Sequence, residues 1–505
     1  MKRRDAIKSM GLALSSLNFA APLSVFAANA QTPLKIPDLL TGDLENSTLH
    51  YSLNVQAGTS RFLPDRDTET LGINGNYLGP TLRFKRGDDV ALHVKNTLSE
   101  ITTLHWHGLH IPAAVDGGPH QIIESGGNWN PEFSITQRAG TFWYHSHLDK
   151  KTGEQVYKGL AGMIIIDDES ASGLDLPSQY GVDDIPLIIQ DRRFNEDGSF
   201  RYVGMHRDVM TGMYGDRLLV NGCLNPVLSA TTQKLRLRLL NAANARSFSF
   251  AFSDGRPFQI IASDGGLLEN PIQVNNVILA PAERAEIIVD VGNGEPVQLL
   301  GLPLGANSVF ASQGMMQRMT ASGLESTVVL NIEPQSLLET SATVPAALAS
   351  FERHRRSDAI RQRSFKLSMV MGMGGGMMGN RGPGRRGANN EGSGNFFING
   401  QAMDMNVVNE RIPVGSLELW QIENDSIMMH PFHVHHGQFQ LISRDGRAPI
   451  GIELGEKDTI KVAPGETLQF LMKFDRFADP EHAYMYHCHI LEHEDNGMMG
   501  QFTVE

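Results

Sequence analysis

Three stretches of this chain alternate apolar and polar side chains with a period of two, and each stands in the same local setting. Val90-Ala91-Leu92-His93-Val94 runs on to Asn96, Leu235-Arg236-Leu237-Arg238-Leu239 to Asn241, and Leu417-Glu418-Leu419-Trp420-Gln421-Ile422 to Asn424. Successive side chains of an extended strand project to opposite faces, so the alternation predicts half-buried strands. Each strand follows an Asn-Gly pair, at Asn74-Gly75, Asn221-Gly222 and Asn399-Gly400, and a polar connector. Single Asn-Gly turns are common. Three in the same order, with matching strand lengths, read as internal copies of one unit. The chain is therefore read as all-β, with three homologous β-sandwich domains over residues 31–168, 169–335 and 336–505.

Two segments interrupt this rhythm. Residues 336–363 have helical character, with Ala346, Ala347, Leu348 and Phe351. Residues 369–394 are of low complexity: Met369, Met371, Met373, Met377 and Met378 stand among glycines, followed by arginines and a Gly/Asn/Ser tail. That composition builds no core and predicts a surface insert. The methionines suit metal handling better than filler, because a thioether is a soft ligand that prefers Cu(I).

The reactive side chains collect in the first and third copies. The first holds His105-Trp106-His107 and Tyr144-His145-Ser146-His147. The third holds His430-Pro431-Phe432-His433-Val434-His435 and Tyr486-His487-Cys488-His489, then His493 and Met498. On a strand, each His-x-His pair puts two imidazoles on one face. One such pair is a weak signal, but four in a duplicated pattern point to bound metal. Cys488 projects away from His487 and His489, so one strand can serve two metal sites with the cysteine backbone as the covalent path between them. A thiolate, two imidazoles and a distant thioether make a blue copper site. The middle copy has no such pair and reads as a spacer.

A length of 505 residues suits about three domains. Lys and Arg total 43 against 56 Asp and Glu, a net charge of -13. That balance argues against nucleic acid or an anionic membrane as partner and suits a cationic one. The two cysteines are Cys223 and Cys488. With Cys488 on metal there is no disulfide, and Cys223, placed in a turn, reads as a thiol without a role. Lys2-Arg3-Arg4-Asp5-Ala6-Ile7-Lys8 resembles a twin-arginine export signal, and Ala28-Asn29-Ala30 fits a cleavage site. Residues 1–30 are thus expected to be a signal peptide and the protein to be periplasmic.

Together, His-Trp-His-Gly, Tyr-His-Ser-His, His-Pro-Phe-His-Val-His and His-Cys-His-x-x-x-His-x-x-x-x-Met resemble the four signatures of the multicopper oxidases. The similarity runs over nearly the whole chain and is closest to the bacterial periplasmic copper-efflux (cuprous) oxidases. It implies three cupredoxin-like Greek-key sandwiches and four copper ions. The type 1 copper would take His430, Cys488 and His493 with Met498 axial, and the type 2 copper His105 and His433. The type 3 pair would take His107, His145, His147, His435, His487 and His489. Asp116 would work near the type 2 copper, and Glu494 would relay protons near the type 3 pair.

The resemblance implies one-electron oxidation of Cu(I) coupled to four-electron reduction of dioxygen to water, in the service of copper tolerance. Met369 and Met428 match substrate-copper ligands, and Met371, Met373 and Asp425 are read as binding substrate with them. The chain departs from the pattern in a shorter insert and at Ser426, which takes an acidic position one residue from Asp425. A laccase acting on phenolic compounds is the main alternative, with Fe(II) or Mn(II) as other reductants and a non-enzymatic scaffold as a third class. The expected partners are a small reductant and dioxygen, with no nucleic acid and no membrane, for a monomer.

Overall fold

The computed structural model describes residues 31–320, 326–370 and 395–505. The export motif, Met371 and Met373 lie outside these residues. In each Asn-Gly pair the asparagine takes positive φ: 56° at Asn74, 50° at Asn221 and 54° at Asn399. Asparagine tolerates this region better than most residues. From there each side chain docks along a neighbouring strand as if it were backbone. Asn74 accepts from the Asn54 amide (2.6 Å) and donates to the Ser52 carbonyl (2.7 Å). Asn221 does the same with Ile188 (2.8 Å) and Pro186 (2.8 Å), and Asn399 with Lys366 (2.8 Å) and Ser364 (3.1 Å).

The alternating stretches lie in the strands Asp89–Asn96, Lys234–Asn241 and Ser416–Asn424. Each runs parallel to an earlier strand, in a register that sets Asn54, Ile188 and Lys366 opposite the penultimate residue. The asparagine ending each strand is a second shared lock. Asn96, Asn241 and Asn424 donate to the carbonyls of Ile123, Leu279 and Val462, each at 2.9 Å. The three units are copies down to these hydrogen bonds.

Each copy is a cupredoxin-like sandwich of two sheets around its own apolar core. In the third, a five-stranded sheet runs Glu410–Ile412, Met499–Val504, Asp479–Cys488, His430–Val434, Thr459–Val462. Its core centres on Trp420, wholly buried against Phe365, Phe470 and Tyr486. Among the described residues no helix is long and apolar enough to cross a membrane.

Three expectations need correction. In the middle copy the polar positions Arg236 and Arg238 are buried, not exposed. The strand's outer face packs on the first copy: Arg238 donates to Asp184 (2.7 Å), Glu286 (2.8 Å) and Thr141 Oγ1 (2.9 Å). Residues 340–355 form no helix. Val344 and Leu348 instead pin this extended connector onto the middle sandwich, with the Leu348 amide on the Glu269 carbonyl at 2.9 Å. Cys223 is a buried free thiol in the short strand Cys223–Leu224, not in a turn.

Candidate metal centres

Strand register decides which way each ligand points. His430–Val434 pairs antiparallel with Asp479–Cys488, setting Phe432 opposite Cys488 and His433 opposite His487. Directly opposed residues share a face, so His433 and His487 look one way and Cys488 the other. His430, two residues from Phe432, shares the cysteine's side. The ten histidines of the motifs and Cys488 are all between 0 and 2% exposed.

On the sulfur's side, Cys488 Sγ lies 3.4 Å from His430 Nδ1 and 3.7 Å from His493 Nδ1, and those nitrogens are 3.3 Å apart. The short helix Leu491–Glu494 carries His493 round to this position. The Cys488 amide bonds the Met498 carbonyl at 3.0 Å, which returns buried Met498 to the same core. Phe396 stacks on His493 at 3.9 Å. Burial lowers His430 to about 3 and pushes the Cys488 thiol up. The metal-free pocket is therefore neutral, and a cation would displace the thiol proton.

On the other side, three groups of nitrogens converge, each within 4.8 Å: His107, His145 and His489; His147, His435 and His487; and His105, His433 and His435. His145 Nε2 is 3.4 Å from His107 Nδ1, and His147 Nε2 is 3.2 Å from His435 Nε2 and 3.3 Å from His487 Nε2. The first and third domains thus supply the halves of one cluster. Burial, with neighbouring imidazoles adding to it, holds His107, His147, His433 and His489 well below the ordinary histidine range. Among the described residues, His105 Nε2, His433 Nε2 and both nitrogens of His489 have no hydrogen-bond partner. An unmet buried polar atom costs about 1–3 kcal/mol, so converging lone pairs of this kind fit a bound cation.

Two carboxylates adjoin the cluster. Asp116 takes His435 Nδ1 on its carboxylate at 2.6 Å and His105 Nδ1 on its carbonyl at 2.8 Å. The Glu494 carboxylate sits 3.2 Å from His147 Nδ1 and 3.1 Å from His487 Nδ1. Both contacts are off-line, so its oxygens have no aligned donor among the described residues.

Of the residues read as substrate ligands, Met428 is buried and Met369 partly buried beside the cysteine centre's core. Asp425 is exposed and paired with Lys366 at 2.7 Å. Ser426 Oγ instead meets His430 Nε2 at 2.8 Å. Sequence reasoning missed Met210 and Met316, buried in the same core, and Met319, packed against it. It also missed Asp458, which meets His107 Nε2 at 3.1 Å and takes His433 Nδ1 on its carbonyl at 2.8 Å. Nothing in Lys457-Asp458-Thr459 marks that aspartate locally, since its partners are hundreds of residues earlier or in another strand.

Family models described as multicopper oxidase match residues 54–171, 167–298 and 378–505. The chain belongs to the multicopper oxidase family. Like it, the multicopper oxidase mco of Staphylococcus haemolyticus is 36% identical, over 91% of this chain and 89% of the relative. The cell division protein FtsP of Escherichia coli is 34% identical, over 100% of this chain and 99% of its own length. The solved laccase-like multi-copper oxidase CueO from the lignin-degrading bacterium Ochrobactrum sp. superposes with a TM-score of 0.81 at 34% identity, over 94% of this chain and 100% of that one. Membership in the multicopper oxidases implies copper as the metal, and dioxygen with a reducing substrate as the reactants.

Proposed function

We propose that this family member is a cuprous oxidase of copper homeostasis, exported to the periplasm, coupling Cu(I) oxidation to reduction of dioxygen to water. The observation that carries the reading is the complete, buried donor set that converges on two centres. His430, Cys488 and His493, with Met498, would hold the type 1 copper, and His105 and His433 the type 2 copper. His107, His145 and His489 would hold one type 3 copper, and His147, His435 and His487 the other. Bound copper supplies one-electron transfer at the first centre and dioxygen reduction at the second. Cys488 stands between His487 and His489 in the chain, so its sulfur is joined covalently to both imidazoles. Glu494, close to two imidazoles and without an aligned donor among the described residues, would hold and pass on a proton. Asp116 holds His435 and His105 by their Nδ1 atoms, which leaves each Nε2 as the nitrogen that would meet the metal.

Cu(I) as reductant is supported by the soft thioethers of Met210, Met316 and Met428, buried in the same core as Cys488. A second reading, oxidation of phenols, is favoured by one feature. A cavity of about 390 Å³, lined by Tyr214, Phe310, Met428, Met429 and Ile490, opens next to Cys488. It is apolar and of a size for a small aromatic. The FtsP relative keeps a scaffold role in view, and the donor set argues against it. The test is copper stoichiometry, then initial rates on Cu(I) and on a phenol, with and without added copper. Four coppers per chain and rapid Cu(I) oxidation are expected. Phenol turnover independent of copper without Cu(I) oxidation would install the laccase reading, and a chain that takes up no copper would install the scaffold.

A further inference from the structure

The middle domain contributes no histidine to either centre, yet one of its side chains ties all three domains together beside the cluster. Arg284 is fully buried. Its Nε donates to the Thr141 carbonyl of the first domain at 3.0 Å. Its Nη1 donates to the Ala282 carbonyl (3.1 Å) and Asp458 Oδ1 (2.7 Å), and its Nη2 to the Asp264 carbonyl (3.0 Å) and Asp458 Oδ2 (2.6 Å). A guanidinium has five N–H donors, and here all five are satisfied. Two of them grip the Asp458 carboxylate of the third domain as a fork, the geometry that fixes a carboxylate most firmly.

Asp458 in turn touches two of the histidines. His107 Nε2 donates to its Oδ1 at 3.1 Å, which turns Nδ1 toward His145 Nε2. His433 Nδ1 donates to its carbonyl at 2.8 Å, which leaves His433 Nε2 as the unpartnered atom facing the cluster. We propose that Asp458, clamped by Arg284, is a positioning residue that sets the tautomer and ring orientation of His107 and His433 together. The pair comes from different domains and from different copper sites, so a single carboxylate aligns the type 2 and type 3 halves. The middle domain is then the anchor of the cluster rather than a spacer.

Two observations separate this from Asp458 acting as a metal ligand, which its closeness to His107 and His433 alone would allow. Its Oδ1 already accepts from Arg284, His107 and Thr459 Oγ1 (2.9 Å). The first-domain motif also makes room for the clamp. At Gly108, the glycine of His-Trp-His-Gly, a Cβ would stand 2.4 Å from Asp458 Oδ2 and 3.1 Å from Arg284 Nη2, and its φ is 85°. Only glycine takes that backbone and leaves the carboxylate in place.

The inference rests on the eight cluster histidines being copper ligands, and its test needs no substrate. Full-length Asp458→Asn and Arg284→Lys proteins are loaded with copper and compared with the parent. Copper per chain, the type 2 copper electron paramagnetic resonance signal and the blue absorption are measured, with chelator competition for affinity. Partners of this kind typically govern metal affinity by about 10–100-fold. We expect Asp458→Asn to weaken cluster copper by that factor and alter the type 2 signal while the blue band stays. Arg284→Lys should do so less, since lysine keeps the charge and loses the fork. Full copper and a parental type 2 signal in both variants would overturn the proposal. So would blue band and cluster copper lost in equal measure, the result for a residue that only holds the domains together. A parent that binds no copper would instead overturn the reading of the histidines.

Discussion

Cys488 is two atoms of side chain on a strand that carries candidate ligands on both faces, and its direction groups it with His430 and His493 rather than with its sequence neighbours. Replacing it by serine removes the soft donor without a volume change of consequence. Cys488→Ser is expected to lose the intense blue absorption and oxidase turnover while circular dichroism and thermal unfolding stay near parental. Retained blue colour would dismiss the type 1 assignment. Asn241 is a residue of the other kind, structural throughout. Its amide donates to Leu279 (2.9 Å) and Arg246 (2.8 Å) and accepts from Ala243 (3.1 Å). Asn241→Ala strands those buried backbone groups, at a cost of about 1–3 kcal/mol. A lower urea midpoint is expected, and an unchanged one would show the lock to be dispensable.

Period-two patterning was readable at the level of strands because it reflects the pleat itself: Val90–Val94, Leu235–Leu239 and Leu417–Ile422 all lie in strands. The helical reading of 336–363 failed because composition reports local propensity, while Val344 and Leu348 are held extended by burial against a neighbouring sandwich. Arg361–Met369 pairs with Phe396–Ile398 through Met369 and Phe396, which frames the methionine-rich insert between two paired strands. Removing residues 371–394 should therefore leave the hairpin and the blue colour intact. Rates on Cu(I) should fall more than rates on a phenol, and an equal loss of both would exclude the insert as a place where substrate copper docks.

Across the whole molecule, buried neutral imidazoles give the metal-free protein a pH dependence of known sign. Burial lowers His430 to about 3 and places His145, His435 and His493 well below 6.5. The folded state then binds fewer protons than the unfolded one between those values and 6.5. Stability is fully present above about pH 6.5 and falls as pH drops, by up to roughly 1.4 kcal/mol per unit for each such histidine. Urea midpoints of copper-free protein should be lower at pH 5.5 than at 7.5, and copper should raise both by mass action. Equal copper-free midpoints would mean the imidazoles are not held neutral. The candidate ligand motifs could be read from the chain because alternation along a strand is a local, covalent property: it separates Cys488 from His487 and His489 whatever surrounds them. Which groups stand behind those ligands was not local. His107, Thr141, Arg284 and Asp458 meet only because three sandwiches pack against one another, and burial between domains, invisible in any one strand, turned expected surface arginines and an unremarked aspartate into the setting of the cluster.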